Sequence, residues 1–263
     1  MATVRNRRQA TLIICYHAVS AGWPDATAVT PTQLERQLSF LQARGFVGAT
    51  FSEALGDPPA SKTLAVTFDD GYRSVMERAF PILHRLGIPG TVFVPSAYAN
   101  SPGPRFWAGT GRERWFGGPH EAELTGLSWQ ELQHLMAAGW EVGSHSRSHP
   151  HLTELDDKAL EEELHGSREE CERGTGRPCL SLSYPYGDLD ERVIRAASEA
   201  GYRSGASLPR KFPRTPTPLV WPRVGIYRPD GWLRFRIKTS PLVLALRHSP
   251  AWHLIGRLRR FLR

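Results

Sequence analysis

The chain has 263 residues, 40% of them hydrophobic and 22% charged, and a formal net charge of +7. This composition predicts a globular protein with a substantial core and argues against a disordered chain. Residues 234–263 hold eight basic residues and no acid, so the excess positive charge belongs to the C-terminus. The main part of the chain therefore gives no support for a nucleic-acid partner. We predict a domain of residues 1–233 followed by a basic amphipathic tail of residues 234–263.

The N-terminus lacks the pattern of a cleaved secretory leader. Its basic residues precede an apolar segment, residues 12–16, that is too short for the hydrophobic region of such a leader. No apolar run in the sequence is long enough to span a bilayer. The three cysteines, Cys15, Cys171 and Cys179, lack zinc-ribbon spacing and leave one unpaired in any disulfide scheme, so we expect reduced thiols. These features predict a cytoplasmic protein.

In chain order, β-prone apolar runs alternate with segments of helical periodicity. The first apolar run ends at His17 and a later one at Phe68, while Thr30 and Ser128 are capping residues that mark helix starts. We predict strands over residues 11–16, 46–51, 63–68, 90–95, 179–183, 202–206 and 223–227, and helices over residues 30–45, 73–86, 128–139, 156–173 and 189–200. This alternation indicates parallel βα units, hence an α/β fold in which ligands gather at the carboxyl ends of the strands.

Residues 96–126 break the alternation, because they are rich in Gly, Pro, Trp and Arg and have no clean period. We interpret them as a long insertion between a strand and a helix, near the strand ends. Its Trp107 is a candidate for stacking against a sugar, although packing against the rim of the fold is the more common role for such a residue.

Two acids, Asp69 and Asp70, follow directly after the strand that ends at Phe68. Ionised carboxylates this close repel each other, and a cation or a shared proton would stabilise them in a buried site. Two histidines, His145 and His149, follow another short apolar run and can join a carboxylate in holding a divalent metal with room left for water. Without a metal, the acids would cap a helix and the histidines would lie in an exposed loop.

These motifs resemble those of the NodB-homology polysaccharide deacetylases, also called carbohydrate esterase family 4. The sequence Thr-Phe-Asp-Asp-Gly stands at residues 67–71, His-x-x-x-His at residues 145–149, and a third motif, Tyr-Pro-Tyr-Gly, at residues 184–187. Residues 14–17 resemble the first strand of a subgroup that deacetylates poly-N-acetylglucosamine exopolysaccharides. The resemblance covers residues 11–227 and implies a distorted, incomplete (β/α) barrel. It also implies metal-dependent removal of the N-acetyl group from a saccharide, with zinc as the expected metal.

The resemblance implies a role for each motif residue. Asp69 matches the general base, and the backbone N–H of Tyr186 matches the donor of the oxyanion hole. In the exopolysaccharide subgroup, His17 takes the position of the general acid that protonates the leaving amine. The implied metal ligands are Asp70, His145 and His149. The further residues expected to contact the substrate are Tyr184, Pro185 and Trp107.

One position departs from the family pattern. Where the family has an arginine that orients the catalytic aspartate, two residues before Pro185, this chain has Ser183. Either another basic residue such as Arg73 supplies that contact, or activity is reduced. The competing hypotheses are therefore a non-catalytic saccharide-binding protein that keeps the metal site, and a hydrolase of non-sugar amides on the same scaffold. His151 is a further candidate ligand, but two positions beyond His149 it should face elsewhere.

The end of the tail has a pattern of its own. From residue 250 on, Trp252, Ile255 and Leu258 recur at helical spacing with arginines between them. This pattern suits an amphipathic helix on an anionic membrane, which would make a lipid-linked N-acetyl sugar a reasonable substrate. A terminal helix packed on the barrel, or a disordered tail, explains the same sequence equally well.

Overall fold

The computed structural model describes residues 10–99, 103–104, 107, 111–209, 212–213 and 216–249. Its strands are β1 (Ala10–Tyr16), β2 (Ala18–Val19), β3 (Ala28–Val29), β4 (Val47–Ala49), β5 (Lys62–Phe68), β6 (Gly90–Val94), β7 (Glu141–Ser144), β8 (Ser181–Ser183), β9 (Ser204–Ser207), β10 (Trp221–Pro222) and β11 (Val224–Gly225). Its α-helices are α1 (Pro31–Ala43), α2 (Phe51–Gly56), α3 (Phe80–Arg85), α4 (Trp129–Ala137), α5 (Asp157–Thr175), α6 (Glu191–Glu199), α7 (Trp232–Lys238) and α8 (Pro241–Arg247).

A parallel sheet forms the centre of the fold. Its strand order is β10-β9-β8-β7-β6-β5-β1-β11, β4 also pairs with β5, and β2 pairs with β3 separately. β10 and β11 lie at opposite ends of this order, although only Arg223 separates them in sequence. The segment from β10 to β11 therefore joins both ends of the sheet and makes a nearly closed barrel. This confirms the predicted α/β class and the distorted, incomplete barrel.

The two faces of β5 pack in different layers. Leu64, Val66 and Phe68 belong to the large core beneath the helices, whereas Ala65 belongs to a small apolar cluster inside the barrel. Such a strand is apolar on both faces, as the continuous run in the sequence predicted. Because side chains alternate along a strand, Asp69 continues the interior face and lies at the mouth of the barrel.

Local signals explain where several helices begin and end. The predicted capping box of α4 is present, since the Ser128 side chain accepts from the backbone N–H of Glu131 and the Glu131 side chain accepts from that of Ser128. α5 was predicted to end at residue 173 but continues to Thr175, and its C-terminal cap is Gly176, which has a φ of 69°. Gly174 lies inside α5 because the Trp129 ring occupies the space that a side chain would need.

The C-terminal region packs on the barrel as far as α8. α7 crosses the predicted boundary after residue 233, and Phe235 is fully buried in the main core. Residues 250–263, which carry the predicted amphipathic helix, lie outside the described residues. In the ranges that the structure describes, no helix combines the length and apolarity needed to cross a membrane.

Candidate metal centre and active site

The motif residues meet at the carboxyl ends of neighbouring strands. β1 and β5 are paired in register up to their last residues, so His17 and Asp69 leave the sheet side by side. The turn after β7 carries His145 and His149, and the turn after β8 carries Tyr186. β7 pairs with both β6 and β8, which brings these turns to the same mouth of the barrel. The arrangement is the one expected for ligands at parallel strand ends.

Asp70, His145 and His149 bring three donor atoms together. Asp70 Oδ1 lies 3.5 Å from His145 Nε2 and 3.4 Å from His149 Nε2, and all three side chains are buried. One carboxylate oxygen and two imidazole nitrogens form a donor set that binds zinc and similar cations while leaving coordination positions open. The residues present therefore fit a divalent metal, and they form a candidate metal site.

Contacts around the two imidazoles orient them for this role. His145 Nδ1 lies 2.7 Å from the backbone oxygen of Ser183, so Nδ1–H donates and Nε2 keeps its lone pair toward Asp70. Trp107 stacks on His149 with ring centroids 4.4 Å apart, and Tyr186 approaches His149 edge-on at 4.6 Å. The metal-facing nitrogens are thus held by backbone and aromatic packing.

The backbone is strained at this site. Among the described non-glycine residues, a positive φ occurs at Asp70 (68°), Ser146 (58°), His149 (65°) and Tyr186 (59°). Left-handed backbone is unfavourable for residues with a Cβ and persists where the surrounding structure enforces it, often at functional sites. At Asp70 it breaks the alternation of β5, so Asp69 and Asp70 lie in one site but face different partners.

Asp69 is bound by a buried arginine. Arg223 Nη1 donates to Asp69 Oδ1 and Nη2 to Oδ2, both at 2.7 Å, and the Arg223 side chain is fully buried. Burial alone would raise the pKa of Asp69, but the charge and hydrogen bonds of Arg223, together with the nearby imidazoles of His145 and His17, outweigh it and lower that pKa well below its usual value. Ser183 Oγ joins the network, accepting from Arg223 Nη2 at 2.7 Å and donating to Asp69 Oδ2 at 3.2 Å. Asp69 is therefore ionised and held in a fixed orientation.

Arg223 supplies the contact for which Arg73 was suggested, and that suggestion was wrong. Arg73 instead pairs with Glu131 at 3.1 Å on a partly exposed surface. Arg223 projects from the junction of β10 and β11, and its guanidinium lies against the small side chain of Ser183. A serine at residue 183 leaves room for an arginine that arrives from another strand.

Asp70 has an arginine of its own. Arg112 Nη1 donates to Asp70 Oδ2 at 2.9 Å, and Nη2 donates to Thr27 Oγ1 at 3.1 Å. The Arg112 guanidinium also lies 5.4 Å from the ring centre of Tyr72. Burial raises the pKa of Asp70, but Arg112 and the neighbouring imidazoles hold it well below its usual value. Arg112 thus fixes one carboxylate oxygen, and the other faces the histidines.

His17 lies next to Asp69 in a second cluster. Donor atoms of Cys15, His17 and Asp69 all lie within 4.8 Å of one another. This cluster is a poorer metal site, because Arg223 already places a positive charge on both oxygens of Asp69. In the described part of the chain, the buried His17 Nδ1 has no hydrogen-bond partner. Burial lowers the pKa of His17, and the carboxylates of Asp70 and Asp69 raise it only in part.

The third motif separates into buried and exposed residues. Tyr184 is buried and donates its hydroxyl to the Leu219 carbonyl at 2.9 Å, and Pro185 is buried beside it. These side chains support the wall of the site from behind, which corrects the expectation that they contact the substrate directly. Tyr186 is 40% exposed, and its ring stacks on His151 with centroids 4.0 Å apart. As expected, His151 faces away from the metal ligands.

Trp107 takes the packing role that the sequence analysis gave as the more common alternative to stacking against a sugar. It is 5% exposed and packs flat against His149, so it supports a candidate metal ligand and presents little surface to a sugar.

Two functional residues, Arg112 and Arg223, were missed in the sequence. Ser183 was the signal for Arg223, since it pointed to an arginine missing from the family position. Nothing in the sequence distinguishes Arg112 from the other arginines of the insertion.

Comparisons with known proteins agree with this geometry. The family model described as polysaccharide deacetylase matches residues 56–205. YxkH of Bacillus subtilis, named after the same family, is 24% identical over 212 residues, covering 78% of this chain and 67% of its own. A poly-beta-1,6-N-acetyl-D-glucosamine N-deacetylase of Staphylococcus aureus is 23% identical over 198 residues, covering 70% of this chain and 62% of its own. The chain thus spans roughly two thirds of the length of these relatives.

Solved structures share the fold. A polysaccharide deacetylase from Bacillus cereus superimposes with a TM-score of 0.70 at 24% identity, over 88% of this chain and 69% of that one. IcaB from Ammonifex degensii gives a TM-score of 0.68 at 23% identity, over 92% of this chain and 98% of its own. The family match covers more than half of the chain and includes Asp69, Asp70 and both histidines. The chain therefore belongs to the polysaccharide deacetylase family.

Proposed function

We propose that this protein is a metal-dependent N-deacetylase of an N-acetylated saccharide. One observation carries the proposal: the buried donors of Asp70, His145 and His149 converge at the barrel mouth beside the ionised carboxylate of Asp69. The relatives include a protein named for deacetylation of a poly-N-acetylglucosamine, which supports a sugar substrate. A cytoplasmic location stays a prediction from the N-terminal sequence.

Asp70, His145 and His149 would hold the metal, and their donor set favours zinc. When bound, a divalent cation lowers the pKa of water toward neutrality and polarises the acetyl carbonyl. Arg112 keeps one Asp70 oxygen away from the histidines, and Ser183 fixes the tautomer of His145. These contacts hold one oxygen and two nitrogens toward a single point before any cation arrives.

The remaining residues then divide the proton transfers between them. Asp69 accepts a proton from the attacking water, and Arg223 holds its carboxylate in place. The N–H of Tyr186 donates to the oxygen that becomes negative as the water adds to the acetyl carbon. His17 in its protonated form, which the charges of Asp70 and Asp69 favour and burial opposes, gives a proton to the nitrogen as the C–N bond breaks, so the products are acetate and a free amine on the sugar. Because Arg223 makes Asp69 a weak base, its role requires water that is already acidified.

Tyr186 and His151 form the exposed aromatic surface at this site. Their rings stack at 4.0 Å, and His151 is held by Asp188 at 3.3 Å. A flat exposed ring suits the apolar face of a sugar, so we place a pyranose next to this pair. The buried side chains of Trp107 and Tyr184 shape the site from behind it.

The test is acetate release from N-acetylglucosamine oligomers, lipid-linked sugars and small glycosides. Zinc-loaded protein is compared with chelated protein and with Asp69→Asn and Asp70→Asn variants, and bound zinc is measured in each. We expect Asp69→Asn to keep zinc and lose turnover by about 100-fold or more, and Asp70→Asn to lose both. The contrast between neighbouring acids separates base from ligand.

Two results would contradict the proposal. Glycan binding without acetate from any substrate would favour a saccharide-binding protein, and release from non-sugar amides alone would favour an amidase. The bidentate Arg223–Asp69 pair argues against the first alternative, because it supplies the contact whose absence at Ser183 suggested lost activity.

A further inference from the structure

Two short helices at the C-terminus expose aliphatic side chains in pairs. Leu233 and Ile237 of α7 are 68% and 50% exposed, and Leu242 and Leu246 of α8 are 70% and 37% exposed. We call these four side chains the α7–α8 surface. Among the described residues, they make up most of the large aliphatic side chains that are exposed. Large apolar patches exposed on a protein often mark a binding site, and these four side chains lie on two successive helices.

Packing on the barrel does not account for these pairs. Each helix has a central residue, Phe235 in α7 and Leu244 in α8, that packs on the main core, and Trp232 at the start of α7 packs there too. Residues two positions before and after the central residue lie on the opposite side of a helix. Those outward positions normally carry polar residues, yet in both helices they are leucine or isoleucine. The outward face of each helix is therefore apolar.

Basic residues surround this apolar face. A groove of about 380 Å³ next to it is lined by the aromatic rings of Phe40 and Phe46 and by Arg44, Lys62 and Arg236. In α7, Arg234 and Lys238 share the single carboxylate of Asp230, which leaves positive charge in excess. Residues 250–263, which follow α8 closely, add four arginines and no acid.

We propose that the α7–α8 surface and its basic border dock on an anionic phospholipid bilayer. Aliphatic side chains flanked by arginine and lysine match both parts of such an interface, the acyl boundary and the charged headgroups. Another copy of this chain would match only the apolar part, since the described residues that line the groove include no acid that could pair with its basic residues. The bilayer is the occupant that the charge favours.

The location of the α7–α8 surface determines the direction in which the barrel mouth would open relative to the bilayer. The groove is lined by Ala10 and Lys62, the first residues of β1 and β5, whereas the candidate metal centre follows the last residues of the same strands. A strand of this length rises about 20 Å. The barrel mouth therefore opens away from the bilayer. If the proposed deacetylase function holds, the substrate is a glycan chain reaching into the aqueous phase, and not a lipid-linked sugar at the headgroups.

The first test is sedimentation of the full chain with vesicles. We expect binding to phosphatidylcholine–phosphatidylglycerol vesicles, weaker binding in high salt, and little binding to phosphatidylcholine alone. The variant Leu233→Gln/Ile237→Gln/Leu242→Gln/Leu246→Gln should bind at least about tenfold more weakly. Phe116→Gln, which removes an exposed aromatic from the insertion, is the matched control and should bind as wild type does. Each variant's circular dichroism spectrum and melting temperature report its folding.

The second test measures orientation with an environment-sensitive fluorophore. Leu233→Cys places the label on the α7–α8 surface, and Glu154→Cys places it on an exposed turn five residues after His149. The native cysteines are buried. Anionic vesicles should shift the emission of the first label to the blue and leave the second unchanged.

Several outcomes would overturn the proposal, and none depends on catalysis. Absence of binding to anionic vesicles, or unchanged binding by the four-residue variant, removes the bilayer as occupant of this surface. Equal binding to neutral and anionic vesicles removes the role proposed for the basic border. A blue shift at Glu154→Cys reverses the orientation. A concentration-dependent dimer in sedimentation velocity that the four substitutions abolish assigns the surface to a second copy. Acetate release tests the deacetylase function separately.

Discussion

Asp69 and Asp70 are neighbours in sequence, and each is paired with a buried arginine, but the two arginines belong to different kinds of structure. Arg223 comes from the junction that closes the barrel and binds both oxygens of Asp69. Arg112 comes from the insertion and binds one oxygen of Asp70, leaving the other to the histidines. Asp69, the proposed base, is thus oriented by the barrel framework, whereas Asp70, the proposed metal ligand, is oriented by the insertion.

The two arginine–aspartate pairs differ in how fully the carboxylate is neutralised. The pair of Asp69 and Arg223 is complete in itself, since each carboxylate oxygen has its own N–H donor. Arg112 binds only one oxygen of Asp70, so a divalent cation at the candidate metal site would share this carboxylate with Arg112. Substitution of each arginine should therefore give responses to metal that differ in kind.

Arg223→Met should have the largest effect on stability. It leaves the buried charge of Asp69 unpaired, which costs about 3–5 kcal/mol in the free energy of unfolding. Urea denaturation measures this, and we expect the same loss with zinc and with chelator. Arg85→Met, which breaks an exposed pair with Glu35, is the control and should cost no more than about 1 kcal/mol. A loss for Arg223→Met as small as the control would show that the pair contributes little to the fold.

The decrease in the free energy of unfolding caused by Arg223→Met should depend on pH. The folded-state pKa of Asp69 is lowered, so its pairing stabilises the fold fully above the unfolded pKa of about 3.9 and progressively less as the pH falls below it. The stability difference between wild type and Arg223→Met should therefore be largest near neutral pH and narrow in acid. If the stability difference between wild type and Arg223→Met is the same at neutral and at acid pH, the effect comes from packing and not from charge.

Arg112→Met should lower the free energy of unfolding, and bound zinc should restore it. Without metal, the unpaired Asp70 destabilises the fold by up to about 3–5 kcal/mol. A bound cation replaces the missing positive charge, so zinc should raise the melting temperature of this variant more than that of wild type. Calorimetric titration should accordingly show tighter zinc binding. Arg223→Met is the matched control, because the carboxylate that it leaves unpaired, that of Asp69, is not one of the proposed metal ligands. Equal zinc-induced shifts in all three proteins would refute the distinction between the arginines.

Much of this architecture follows from local sequence. The apolar run of β5 predicted a strand buried on both faces, and the acids after Phe68 predicted a charged site at its end. The capping box at Ser128 predicted the start of α4, which the structure confirms. These features depend on neighbours in the chain, so periodicity and capping chemistry reveal them.

Contacts between distant residues could not be predicted in the same way. Arg223 and Asp69 lie 154 positions apart, and the strands on either side of Arg223 have two residues each, too few to show a period. The burial of Phe235 was hidden for a related reason, because α7 is short and its basic residues dominated the interpretation. The sequence thus predicted that the carboxylates at the strand end require compensating positive charge. Which residue supplies that charge depends on how the barrel closes.

The smallest effect should come from Ser183→Ala. Its hydroxyl bridges Arg223 Nη2 and Asp69 Oδ2, and the guanidinium and carboxylate keep their direct hydrogen bonds without it. We therefore expect the free energy of unfolding to fall by about 1 kcal/mol. Turnover should fall severalfold with little change in KM, because only the orientation of Asp69 is loosened. Ser207→Ala is the matched control, since it removes a buried hydroxyl that donates to the Trp221 carbonyl outside this network. Equal turnover in both variants would mean that Arg223 alone orients Asp69, and that serine at residue 183 serves only to leave space for it.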